Sequence, residues 1–189
     1  ASHSLDHTLT QTRHQVDPKI QEMYKKLSQF LKIYKSGKLP KAVNVLASQN
    51  IPDWLDLMYL SKPEEWSKNA LEAVTTLFSQ TASDERVEVY IREILFAYVE
   101  SILESSKKLP KQVWNALLTA ARRPPCFIKG LLLPLSTEVS ISLKEARVIS
   151  ALVPKIKLPK DHMNALLIRI CEDVPSPVRT IFVARLVSK

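Results

Sequence analysis

Glycine is nearly missing from this chain: Gly37 and Gly130 are the two present in 189 residues, against twelve prolines. Hairpin turns, β-bulges and phosphate-cradling loops draw on glycine for positive φ or close backbone approach. The shortage therefore disfavours sheets and nucleotide loops alike. Cysteine is as scarce. Cys126 and Cys171 lack CxxC spacing and read as two buried, reduced thiols rather than a disulfide or metal framework. No run approaches the roughly 20 apolar residues of a membrane span. The opening ASHSLDHTLTQTRHQ has no apolar core of a secretory signal, so the expectation is a soluble intracellular chain. The motifs GxSxG, HExxH and GxxxxGK[ST] do not occur. His3, His7 and His14 fall in the polar opening, and His162 beside Asp161 reads as a capping or solvated residue at a helix start. The expectation is a chain that is not an enzyme, with no cofactor, no metal and no small-molecule substrate.

What is present is a helical pattern. Residues 1–16 lack periodicity and read as a flexible polar segment. From Asp17-Pro18, a cap and a first-turn proline, Ile20, Met23, Tyr24, Leu27, Phe30, Leu31 and Tyr34 recur at helical spacing. Shorter helices are expected near 40–48 and 52–60. In SKPEEW, Ser61 and Glu64 have capping-box spacing ahead of the stripe Trp66, Ala70, Val74, Leu77, Phe78. Ser83-Asp84 opens the longest stripe, from Val87 through Leu103, with Glu88, Arg92, Glu93, Glu100 and Glu104 between its apolar positions as an acidic outer face. Pro124-Pro125 restarts the chain into CFIKGLLLPL, apolar almost all round, which predicts a central buried helix. Ser142 and Glu145 form another capping box. The sum is all-α: about nine or ten helices with short connections, an irregular HEAT-like α-solenoid or layered helical array.

The tetrapeptide KLPK occurs at 38–41, 108–111 and 157–160. Proline suits a helix start, and the leucine before it is pushed to an extended conformation from which it can pack onto the next turn. KLPK thus reads as a helix-start cassette with Leu39, Leu109 and Leu158 as pegs. Its lysines are less well explained locally, because cations at a helix N-terminus oppose the macrodipole. Lys38, Lys41, Lys108, Lys111, Lys157 and Lys160 point instead to an external anion.

Charge is unevenly spread. Residues 1–50 carry eight Lys/Arg against three Asp/Glu, residues 51–104 four against eleven, and residues 105–189 fifteen against five. A basic C-terminal half beside an acidic centre suggests a polyanion at one end and a different partner in the middle. The strongest polyanion stretch is RRPPCFIK, with Arg122, Arg123 and Lys129. Base-stacking aromatics are few, so recognition of nucleic acid would run through phosphate and shape rather than base readout.

The strings Asp17-Pro18-Lys19, SGKLPK over 36–41, Trp54 and KPEEW over 62–66 occur in that order, followed by KGLLLPL over 129–135, LKEA over 143–146, IFV over 181–183 and Arg185-Leu186. Together they resemble the bystin family of small-ribosomal-subunit assembly factors over about 170 residues of this chain. Leu118 and Thr119 stand where the family has a lysine pair, and Pro125 where a small residue is usual. The resemblance implies a bystin-like helical domain over 17–189 that continues in relatives through further C-terminal helices. It implies nuclear and nucleolar localisation, with retention into late pre-40S particles in the cytoplasm. It also implies contact with small-subunit precursor rRNA, ribosomal proteins and pre-40S assembly factors including the low-temperature-viability factor, and no catalysis. On this reading the nine cations of the KLPK and RRPPCFIK segments are phosphate contacts. The acidic residues Glu88, Glu93, Glu100 and Glu104 would face a basic protein. The alternative is a protein–protein adaptor with a helical peptide-binding groove and no RNA contact.

Overall fold

The computed structural model describes residues 17–48, 51–106, 108–137 and 141–189. The polar opening 1–16 lies outside the described residues. The described residues form ten helices and no strand: α1 (Pro18–Ile33), α2 (Lys41–Ser48), α3 (Trp54–Leu60), α4 (Lys68–Thr81), α5 (84–105), α6 (Lys111–Ala120), α7 (124–137), α8 (Leu143–Ser150), α9 (Lys160–Glu172) and α10 (Pro177–Val187). Single 3₁₀ turns at Pro63–Glu65 and Val153–Lys155 lie between helices. Helices two apart in sequence pack together: α4 along α6, α5 across α7, α7 against α9, and α8 against α10. That alternation makes a layered, solenoid-like array.

The expected caps are largely in place. The Asp17 carboxylate accepts from the Lys19 amide at 2.8 Å, with Pro18 next. Ser142 and Glu145 close a full capping box, the Glu145 carboxylate accepting from the Ser142 amide at 2.9 Å. In the KLPK cassettes, Pro110 and Pro159 sit one residue earlier than a first-turn proline, as extended N-caps whose carbonyls accept the amides of Trp114 and Met163 at 3.0 Å. Leu39, Leu109 and Leu158 are half-buried pegs against the core, as expected.

The start of α4 differs from the sequence expectation. Ser61 is buried, and its hydroxyl donates back to the Met58 carbonyl at 2.6 Å. Ser67 is the cap, accepting from the Ala70 amide at 3.1 Å. Trp66 is the reason. It is buried, its indole N–H donates to the Ser61 carbonyl at 2.9 Å, and its own carbonyl accepts the Tyr98 hydroxyl at 2.9 Å. The chain wraps this indole, with Lys62 at φ 51°, before α4 can begin. A second left-handed residue, Gly37 at φ 107°, turns the chain after α1, and its carbonyl accepts the Tyr34 hydroxyl at 2.6 Å.

The centre is the crossing of α5 and α7. As CFIKGLLLPL predicts, Phe127, Leu131 and Leu135 of α7 are fully buried. So are Ile91, Leu95 and Val99 of α5. Each helix carries a π-helical segment where they meet, Ile91–Phe96 and Ile128–Leu132. The second lies just before Pro134, which cannot donate to the carbonyl four residues back and crowds it. Gly130 sets the separation: a Cβ there would stand 2.8 Å from the Glu88 carbonyl oxygen and 3.0 Å from Ile91 Cβ.

Two stability predictions follow from this crossing. Helix propensity alone would make Gly130→Ala stabilising by about 1 kcal/mol. The backbone contact reverses the sign, and urea melts should show a loss of about 1–3 kcal/mol. Leu131→Asp places an unpaired carboxylate in the same core and should abolish folding. Soluble Leu131→Asp protein with normal helicity and cooperative melting would contradict the central placement of α7.

Candidate nucleic-acid interface

Helix α6 buries Val113, Ala116, Leu117 and Ala120 completely. Its polar flank is tied to α4 by Asn115, whose amide donates to the Glu72 carboxylate at 2.9 Å. The spacing of Lys111, Trp114 and Leu118 puts these three along one side of the helix, and Arg122 follows in the turn that closes it. Lys111 and Arg122 are exposed, and Trp114 and Leu118 are half-buried. The Trp114 ring carries a cation: Lys155 Nζ lies 5.4 Å from the centroid.

Lys155 is delivered by the 3₁₀ turn Val153–Lys155, anchored by buried Val153 and Ile156. The Lys189 ammonium donates to the carbonyls of both, at 2.7 Å for Val153. Burial pushes the Lys189 pKa down. Between the turn and the end of α6 lies a cleft of about 390 Å³, lined by Leu118, Ala121, Arg122, Lys155, Ile156 and Lys157. Ala121 and Ile156 are each 4% exposed and form its floor with Leu118. Arg122, Lys155 and Lys157 are exposed at its rim, and none forms an ion pair among the described residues.

The structure sorts the nine expected cations into groups. Arg122 and Lys157 meet at the cleft, joined by Lys155, which the sequence reading did not single out. Its signal was available in VPKIKLPK, where Lys155, Lys157 and Lys160 crowd six positions. Lys108 and Lys111 are exposed at the start of α6, about 15 Å of helix from Arg122. Lys160 is exposed at the start of α9. Lys38 and Lys41 are exposed at the start of α2, whose main neighbours are α3 and α4 rather than α6.

Arg123 and Lys129 part from Arg122. Arg123 is half-buried and donates to the Ala82 carbonyl at 2.7 Å and the Asp84 carboxylate at 2.9 Å, stapling the start of α7 to that of α5. Lys129 is exposed but lies 3.9 Å from the Glu88 carboxylate. RRPPCFIK is therefore not one surface patch.

The acidic helix is also less uniform than expected. Glu88 is half-buried and turns toward Lys129. Glu93 accepts from Arg92 at 3.0 Å and from the Tyr59 hydroxyl at 3.3 Å. Glu100 is half-buried, and Glu104 is exposed. Cys126 is buried as expected, its thiol donating to the Asp84 carbonyl at 3.4 Å, and burial pushes its pKa up. Cys171, on the outer side of α9, is exposed rather than buried. Among the described residues no His/Cys/Asp/Glu group could hold a metal ion, and no helix is long and apolar enough to cross a membrane.

A layered all-helical array with a cationic cleft on one flank defines a solenoid-like protein. Comparison with known proteins gives the family. The family model described as Bystin matches residues 1–189, and the chain belongs to that family. It is 31% identical over 175 residues to Bystin of Drosophila melanogaster, covering 93% of this chain and 40% of that protein. It is 33% identical over 157 residues to Bystin of Arabidopsis thaliana, covering 83% and 35%. With human Bystin it shares 28% over 175 residues, covering 93% and 40%. The chain thus spans about two fifths of the length of the curated relatives it matches.

The two neighbouring arginines should separate in a melting experiment. Arg123→Ala removes two hydrogen bonds and leaves the nearly buried Ala82 carbonyl unpaired, a loss of about 1–3 kcal/mol. Arg122→Ala should fall within about 0.5 kcal/mol of the parent.

Proposed function

We propose that this chain is a non-enzymatic scaffold in ribosome biogenesis. It acts in assembly of the small (40S) subunit and in pre-rRNA processing, and it docks on precursor rRNA through the cationic flank of α6 and the 153–157 turn. Membership of the Bystin family supports the process. The observation that carries the RNA-facing side is the meeting of Arg122, Lys155 and Lys157 at one cleft, with no carboxylate paired to them among the described residues. Lys111, Lys108 and Lys160 extend that flank, so several phosphates can be met by one rigid surface. Ribosomal proteins and other pre-40S assembly factors, the low-temperature-viability factor among them, are the protein partners on this reading. The place of work is the nucleus and nucleolus, with late particles in the cytoplasm. Glu104, with Glu93 and Glu100, is the surface offered to a basic protein.

One observation favours the adaptor reading. A groove of about 540 Å³ lies between the end of α5 and the start of α8, lined by Leu103, Glu104, Ser106, Leu143 and Val148 among others. Leu143 is 44% exposed there. An adaptor working through this groove would bind by apolar burial and respond weakly to salt.

Salt separates the two. RNA docking predicts that affinity for small-subunit precursor RNA fragments falls linearly on a log–log plot against salt. Neutralising Arg122, Lys155 and Lys157 to Gln should flatten the slope by about 2, at roughly 0.7 per contact for single strands. Binding that is absent, or unchanged in slope by those substitutions, would favour the adaptor.

A further inference from the structure

The cleft beside α6 has more than charge. Its floor is apolar, made by Leu118, Ala121 and Ile156, and its three cations stand only at the rim. A site for bare anions has no use for such a floor, and a site for an apolar ligand would not carry three cations that form no ion pair among the described residues. An unpaired nucleotide matches both halves, because its base presents an apolar π-face and its phosphate a charge. At about 390 Å³ the cleft falls within the size range of small-ligand sites. The rim is also partly preorganised. Lys155 is held over the Trp114 ring, and its backbone segment is pinned by Lys189 to the carbonyls of Val153 and Ile156.

We infer that this cleft takes one unpaired nucleotide of RNA, its base on the Leu118–Ala121–Ile156 floor and its phosphate among Arg122, Lys155 and Lys157. The chain therefore selects single-stranded or looped RNA over duplex. In a duplex the bases are stacked away and only phosphates and sugar edges reach a side chain, whereas an unpaired base can be splayed onto an apolar or guanidinium surface. This inference rests on the reading that the chain docks on RNA. A peptide of acidic residues alone, such as oligoglutamate, would satisfy the cations but leave the floor unused.

The test compares fluorescently labelled oligoadenylate, an abasic ribose-phosphate strand of the same length and a duplex of the same length, by anisotropy with the full chain. Oligoadenylate should bind about tenfold more tightly than the abasic strand, the scale of burying about 55 Å² of apolar surface against the aliphatic floor. It should also bind more tightly than the duplex. Leu118→Asn should bring oligoadenylate to within about threefold of the abasic strand without changing abasic affinity. Arg122→Gln combined with Lys157→Gln should weaken both strands. The parent comparison stands alone if Leu118→Asn does not fold. Equal affinity for oligoadenylate and the abasic strand, or tighter binding of the duplex, would overturn the nucleotide site while leaving phosphate docking intact. Displacement of oligoadenylate by oligoglutamate at equal concentration would overturn it in favour of an acidic peptide. Absence of salt-dependent binding to all three probes would overturn the docking reading itself.

Discussion

Two helices approach so closely at the centre of this protein that one position on α7 has no room for a Cβ. Gly130 lies against the Glu88 carbonyl and Ile91 of α5, and both helices carry π-helical segments at the crossing. A π segment adds a residue to a turn and re-aims the side chains after it. At this crossing Ile91, Ile94 and Leu95 of α5 and Leu131 and Leu132 of α7 are buried in one core. Around this contact the outer helices pack, α4 against α5, and α6, α9 and α10 against α7. Interiors packed this densely transmit displacement, so a shift at Gly130 would reach the surface.

The cationic cleft is likewise held in place by packing. Among the described residues, none in it is fixed by an ion pair. Trp114 and Leu118 are held because the opposite side of α6 is buried. Lys155 is held because Val153 and Ile156 are buried and Lys189 pins the carbonyls between them. Cations supported this way keep their charge available to a ligand, whereas Arg123, one residue from Arg122, spends its guanidinium on Ala82 and Asp84. Adjacent arginines in the sequence thus have unlike roles, one structural and one facing solvent.

Much of the fold was legible beforehand. The scarcity of glycine, the regular apolar stripes and the proline cassettes give an all-helical array. The buried α7 was readable from CFIKGLLLPL, and the Asp17 and Ser142 caps from their spacing. Misreadings arose where distant groups compete for a local signal. Ser61–Glu64 has the spacing of a cap, but Trp66 needs the Ser61 carbonyl, so the helix starts at Ser67 instead. Glu88 falls on the acidic side by periodicity, yet α7 brings Lys129 to it. The cleft was half legible: Arg122 and Lys157 stood out as charges. That Lys155 joins them over Trp114 depends on a turn meeting a helix 33 residues away, and periodicity carries no such information.

The central claim is that the RNA-facing side is the flank formed by α6 and the 153–157 turn. Ultraviolet crosslinking of the chain to small-subunit precursor RNA, followed by mass spectrometry of the attached peptides, tests it most directly. The account predicts nucleotide adducts on the segments around Trp114–Arg122 and Lys155–Lys157. Adducts confined to α1 or to the acidic helix α5, with none on that flank, would contradict it.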